Sequence, residues 1–262
     1  MAEKSIHEDA AVAIAHKELT EPFKAAVAVL NLATRLHGND VPAVKLSKAQ
    51  VVKLLLLQRV QNDLRCCMLL VERGYPLQAG SIAAGIFEAW ITIANIRTEE
   101  EAAKWLSHSK ENESFGRIRH LTEQALKNIV GDTKQAALMY SQYQQLCMPK
   151  HLNPIVERAR GYALDGKTIQ FRPGPEITEA GIRLGWYVLE RATRFAYFAL
   201  HTIALSQETP SDLHLELVAH QKTLQGLQTE SARRWPKSYP TDLRGAAHRT
   251  FGAGPSTQHF AP

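Results

Sequence analysis

An apolar run near the middle of the chain constrains the fold more than any other feature. The segment 82–96 is apolar apart from three side chains, Glu88, Thr92 and Asn95. A membrane span needs about 20 apolar residues, and this run is shorter, carries a carboxylate at its centre and has polar flanks. We therefore predict a buried core helix over about residues 77–97 and no membrane span. A helix that is apolar all round has to be covered by other elements of the same domain.

The rest of the chain repeats the same helical period. Ser47 and Thr178 stand where N-cap residues are expected, and Gly74 ends the helix before the apolar run. Besides the helix over 77–97, the pattern predicts a short helix that begins at about residue 98. It also predicts helices at about 6–36 (kinked near Pro22), 48–73, 112–130, 132–148, 179–206 and 212–229. The fold class is therefore all-α.

The predicted domain covers residues 1–231, with a core of about 45–206. A Pro- and Gly-rich stretch at 149–177 is predicted to be an irregular loop with a short extended piece at 168–171. The net charge of +5 is uneven, because +4 of it lies in residues 232–262. We therefore predict that this end is a flexible basic tail. Its interleaved aromatic and arginine side chains would suit the binding of single-stranded nucleic acid. The alternative is a solvated end without a ligand.

Several functional classes are excluded by missing motifs. The sequence has no phosphate loop, no dinucleotide fingerprint and no paired-histidine zinc helix, so we predict no cofactor and no metal. Cys66 and Cys67 fall on different faces of one helix and cannot chelate together. The N-terminus lacks the apolar core of a signal peptide, which predicts a cytoplasmic protein.

Catalytic candidates begin with one stripe on the helix 179–206. Its members follow each other at spacings of 4, 3, 4 and 7 residues: Arg183, Tyr187, Glu190, Arg194 and His201. A histidine beside a guanidinium could cut RNA without a metal, since the imidazole moves a proton and the arginine stabilises the charge on the phosphorus oxygens. The simpler alternative is an ordinary i,i+4 ion pair, Glu190–Arg194, on a solvated face opposite the alanine-rich core side.

Two further candidates lie elsewhere in the chain. Glu88 is expensive to bury without a partner, and Arg59 on the preceding helix could supply one, either as a structural pair or as part of a site. His151 lies in a loop after a helix that carries Tyr140, Tyr143 and Cys147, although a lone loop histidine is usually a surface residue.

Three segments resemble a bacterial family of uncharacterised all-helical proteins. They are the stretches 54–59, 69–74 and 83–88, and the spacing of Tyr140 and His151-Leu-Asn-Pro154 is similar to a Tyr…His-Pro segment of that family. Gly85 stands where that family would have an arginine. The resemblance covers about residues 45–205.

This family in turn resembles the HEPN class of helical bundles. Its active members are dimeric, metal-independent ribonucleases with an Arg-x(4–6)-His motif, many of them toxins or antiviral proteins. Arg194 and His201 fit that spacing at its upper limit, with Phe195 where a polar residue is common. The resemblance implies a HEPN-like bundle and a homodimer that acts on RNA, with a protein partner or antitoxin.

The resulting hypothesis is a metal-independent RNA endonuclease of phage-defence or toxin type. His201 would transfer the proton and Arg194 would stabilise the phosphorane, while Tyr187 or Tyr197 would orient the phosphate or stack a base. The alternative is a non-catalytic helical interaction or sensor protein in a larger defence complex. Phe195, Gly85 and the lack of a conventional active site favour that alternative.

Overall fold

The computed structural model describes residues 6–37, 46–111, 118–129, 132–150, 162–165, 168–171, 174–206 and 211–235. These residues form α1 Ile6–Glu18, α2 Thr20–His37, α3 Lys48–Glu72, α4 Pro76–Asn95, α5 Glu99–Glu111, α6 Ile118–Ile129, α7 Thr133–Lys150, β1 Tyr162–Asp165, β2 Thr168–Phe171, α8 Glu179–Ala204 and α9 Ser211–Arg234. The two strands pair as a short antiparallel hairpin. The predicted all-α class is therefore confirmed for the helices of the part of the chain described. Strand β2 coincides with the extended piece predicted at 168–171, whereas β1 lies in a stretch that we predicted to be irregular.

Local sequence signals set the helix ends. Ser47 forms a capping box with Gln50 at the start of α3, and Thr178 accepts a hydrogen bond from the backbone N–H of Gly181 at the start of α8. The predicted kink near Pro22 is a break between α1 and α2. The last helix runs to Arg234 and the Trp235 side chain is buried. This corrects the start of the predicted tail, which we put at residue 232, and the rest of that tail, 236–262, lies outside the described residues.

Gly74 joins the end of α3 to the segment before α8. Its φ of +84° lies in the left-handed region, and a Cβ there would come within 2.5 Å of the Pro175 Cβ. The Gly74 carbonyl accepts a 2.7 Å hydrogen bond from the backbone N–H of Glu176. Only glycine fits this junction without strain, so the chain turn after α3 also positions the entry to α8.

The apolar run forms α4, the central helix of the fold. By length and composition α4 could cross a membrane, but 67% of its most apolar window is buried inside the structure. Neighbouring helices α3, α7 and α8 pack against it. This burial is what we predicted for a core helix.

An aromatic cluster joins α4, α7 and α8. Phe87 stacks on Tyr143 with ring centroids 4.6 Å apart and meets Phe195 edge-on at 4.9 Å. Trp90 contacts both rings, with its centroid 5.6 Å from that of Phe87 and 6.1 Å from that of Phe195. Phe195, which departs from the polar residue common in active HEPN proteins, is therefore fully buried in the core.

Helix α8 is covered on two sides, which corrects one prediction. We expected the stripe opposite the alanine-rich face to be solvated, but Glu190 is only 3% exposed. The cover comes from α9, whose inward side chains recur at spacings of 4, 3, 4 and 3 residues: Leu213, Leu217, His220, Leu224 and Leu227. The polar stripe of α8 thus lies inside the fold.

The aromatic cluster generates the first prediction. Phe195→Ala should lower the free energy of unfolding by about 3–5 kcal/mol, because it removes a buried ring and leaves a cavity. Urea denaturation followed by circular dichroism measures this loss. Leu215→Ala, at a site that is 69% exposed, should change stability by less than about 0.5 kcal/mol. Equal effects of the two substitutions would contradict the packing described here.

Candidate functional site

The polar stripe of α8 is organised around the Glu190 carboxylate. One oxygen, Oε1, accepts a 2.7 Å hydrogen bond from Arg194 Nε, and the other lies 3.2 Å from Arg191 Nε. The side chains of Glu190, Arg191 and Arg194 are 4%, 9% and 15% exposed. The predicted i,i+4 pair therefore exists, but it is a buried ion pair and not the solvated one we expected.

Arg194 and Tyr197 also connect α8 to α9. Arg194 Nη2 donates to the Leu224 carbonyl at 3.1 Å, and the Tyr197 hydroxyl donates to the Leu217 carbonyl at 3.0 Å. Burial lowers the pKa of Arg194, with Glu190 acting against that shift. Both side chains that the ribonuclease hypothesis places on RNA are thus engaged in contacts between two helices.

Tyr187 contacts a third helix. Its hydroxyl donates to Gln145 Oε1 on α7 at 2.7 Å, and the Arg191 guanidinium lies over its ring at 5.3 Å. Burial raises the pKa of Tyr187 to about 12. The phenol is therefore neutral near pH 7 and serves as a hydrogen-bonding link between α7 and α8.

His201 lies nearer the surface than the rest of the stripe. It is partly exposed and its ring stacks on Tyr197, with centroids 5.7 Å apart. Burial first, and the neighbouring His214 second, lower the pKa of His201. It follows Arg194 by seven residues, which is about 10 Å along a helix axis. The structure puts the two residues on one side of α8, but the guanidinium is directed at Glu190 and Leu224.

Glu88 has a tyrosine as a hydrogen-bond partner. The Tyr143 hydroxyl donates to Glu88 Oε1 at 2.8 Å, and burial is the main cause that raises the pKa of Tyr143. No spacing within α4 or α7 indicates this contact in the sequence. A half-buried carboxylate that accepts a hydrogen bond from a phenol is a sound structural arrangement.

Arg59 lies close to the same place but pairs within its own helix. Its Nε is 3.4 Å from Asp63 Oδ2, and both side chains pass over Gly85, whose Cβ position lies 3.6 Å from Asp63 and 3.7 Å from Arg59. Burial raises the pKa of Asp63, against the effect of Arg59. Gly85 lies about one turn before Glu88 on α4. The Arg59–Asp63 pair on α3 therefore lies beside the same part of α4 as Glu88.

His151 lies outside the described residues. Within those residues the structure holds no group of three His, Cys, Asp or Glu side chains arranged for a metal ion.

Comparison of the chain with protein-family models, with curated proteins and with solved structures returns no match. The candidate sites therefore have to be judged on their own geometry.

The buried ion pair leads to a prediction about stability. Arg194→Met should lower the free energy of unfolding by about 3 kcal/mol or more, since it leaves Glu190 buried with one partner fewer. Arg233→Met is the matched control, because Arg233 forms an exposed ion pair with Glu230, and should cost less than about 1 kcal/mol. Urea denaturation of both variants gives the comparison. If Arg194→Met is as mild as Arg233→Met, the pair does not hold α9 in place.

A second prediction concerns acid pH. Burial lowers the pKa of His201 on α8 and of His220, an α9 residue whose ring centroid lies 6.0 Å from that of Tyr197. The folded state therefore favours neutral imidazoles, and their contribution to stability is present above the ordinary pKa of about 6.5 and is lost as pH falls through the lowered values. The melting temperature should drop between about pH 7 and pH 5. The melting temperature of the His220→Gln variant should fall less over this range than that of the wild type. An equal fall in both proteins would exclude His220 as the cause.

Proposed function

We propose that the chain is a non-catalytic helical interaction or sensor protein built on a HEPN-like bundle and acting in the cytoplasm. The observation that carries this proposal is the state of Arg194. Its guanidinium is held by the Glu190 carboxylate and the Leu224 carbonyl, and only 15% of the side chain is exposed. A catalytic arginine has to reach the phosphorus oxygens of a substrate, and this one is committed to the α8–α9 contact.

A metal-independent ribonuclease of defence or toxin type is the second candidate. His201 favours it, because its imidazole is partly exposed and its lowered pKa keeps it neutral and able to accept a proton near pH 7. In this hypothesis two copies of the chain form a homodimer whose shared surface binds RNA, and a protein partner or antitoxin restrains it.

One experiment separates the two candidates. The purified wild type, His201→Ala and His214→Ala are incubated with total RNA in the presence of a chelator, and each is also induced in cells. His214 is an exposed histidine beside His201, so its substitution is the matched control. We expect intact RNA and normal growth in all three, because no arginine is free to act with His201 at the site described.

The opposite result is equally clear. Growth arrest and RNA fragments with the wild type and with His214→Ala, but not with His201→Ala, would overturn the interaction proposal and establish the ribonuclease. Arg194→Ala is left out of this test because loss of the buried pair would unfold part of the protein and imitate a catalytic defect.

A further inference from the structure

A groove lies on the surface between α2 and α9. Its volume is about 320 Å³, which is at the lower end of the range of about 300–1,000 Å³ for small-molecule sites. Each helix lines it with one stripe of residues at the same spacing, 28, 31, 32 and 35 on α2 and 216, 219, 220 and 223 on α9. Ala28 and Ala219 have small side chains, which leaves room for a ligand between the two helices.

One end of the groove carries more negative than positive charge. Arg35 Nη1 donates to both carboxylate oxygens of Glu216 at 2.6 Å, and Arg35 Nη2 donates to Asp212 Oδ2 at 2.8 Å. One guanidinium therefore serves two carboxylates, which leaves one negative charge in excess. All three side chains are exposed, so a cation from solution can approach the carboxylates.

The floor of the same groove holds a buried imidazole with an unused acceptor. His220 is 7% exposed, and its Nε2 has no hydrogen-bond partner among the described residues. Burial lowers the pKa of His220, while a hydrogen bond with the Ala25 backbone acts in the opposite direction. A bond that favours the charged ring is donated by the ring, so Nδ1 carries the proton and Nε2 is the acceptor of a neutral imidazole. A buried acceptor without a donor is costly, and a ligand that donates to it removes that cost.

We propose that the α2–α9 groove binds a small organic cation, an amine or amidine whose N–H groups donate to Glu216 and to His220 Nε2. These two residues lie one turn apart on α9, about 6 Å between their Cβ atoms, which a single amidinium group can bridge. Because Nε2 is buried, the ring turns about χ2, a soft torsion, when the ligand binds. An apolar body of the ligand packs between Ala28 and Ala219. The site uses side chains that neither candidate function uses, so it does not depend on the proposed function.

Nitrogen NMR of the histidine side chains tests the site on the wild-type chain. Benzamidine is the probe, because it joins an amidinium group to a flat apolar ring. Benzamide, which has the same shape without the charge, and benzoate, an anion, are the comparison compounds. We expect benzamidine to move the His220 Nε2 resonance toward that of a hydrogen-bonded nitrogen and to bind at least about tenfold more tightly than benzamide. The resonances of His7, an exposed histidine of α1, should not move.

Variants test the two ends of the site. Glu216→Gln should weaken benzamidine binding, measured by calorimetry, by about fivefold, since it removes an exposed carboxylate. Glu21→Gln is the matched control, because Glu21 is also an exposed acid paired with a cation, Lys24 at 2.9 Å, but does not line the groove; it should bind like the wild type. His220→Phe keeps a ring without the acceptor and should weaken binding by about fivefold.

The results that overturn the proposal are distinct from a folding failure. A His220 Nε2 resonance that stays in place throughout the titration would show that the groove does not bind the cation. Equal or tighter binding of benzamide or benzoate would show that the groove does not select a positive charge. Equal weakening by Glu216→Gln and Glu21→Gln would show a general effect of net charge. Because the NMR titration needs no substitution, an unfolded His220→Phe variant leaves that measurement intact.

Discussion

The packing of α4 against α8 through Phe87, Trp90 and Phe195 is the contact on which the other elements depend. Both helices lie in the interior, so the remaining helices take their positions by covering them. A helix buried on two sides has little solvent for its polar groups, so a polar group without a hydrogen-bond partner is costly there. The Glu190 carboxylate is satisfied by Arg194 of its own helix, whereas three other polar atoms of α8 are buried without a hydrogen-bond partner among the described residues: Trp186 Nε1, Arg191 Nε and Thr193 Oγ1.

The same stripe fixes how α9 lies on α8. Arg194 and Tyr197 donate to the carbonyl groups of Leu224 and Leu217, two points that are two turns apart on α9. Backbone carbonyls in a helix keep a second lone pair for such a bond. Apolar contacts alone would tolerate a shift of α9 along its axis, whereas two directed hydrogen bonds at fixed positions do not. These two hydrogen bonds therefore fix the position of α9 along α8.

Sequence patterns predict the elements of this fold better than their contacts. The caps at Ser47 and Thr178, the break near Pro22 and the burial of α4 all follow from local chemistry and periodicity. Periodicity gives the direction of a side chain on its own helix, but it does not say which neighbour covers that side. The prediction that Glu190 is exposed to solvent was wrong for this reason. The apolar spacing of α9 in the sequence does indicate that one face of α9 packs on another element, and α8 could supply that element.

Glu88 shows the same limit in a different way. The cost of burying a carboxylate correctly predicts that it needs a partner, but chemistry alone cannot choose among donors. We named Arg59 as a possible partner, yet Arg59 has Asp63 four residues away on its own helix, which is the closer acid in sequence. Tyr143, whose hydroxyl donates to Glu88, lies 55 residues further along the chain, and its ring stacks on Phe87 beside Glu88. No local pattern in the sequence contains this contact.

This difference between local and assembled contacts also decides which residues point to function. Arg194 and Glu190 lie one turn apart on a single helix, so their pairing follows from helix geometry and packing and needs no ligand to explain it. A motif whose members satisfy each other in this way is therefore weak evidence for a ligand.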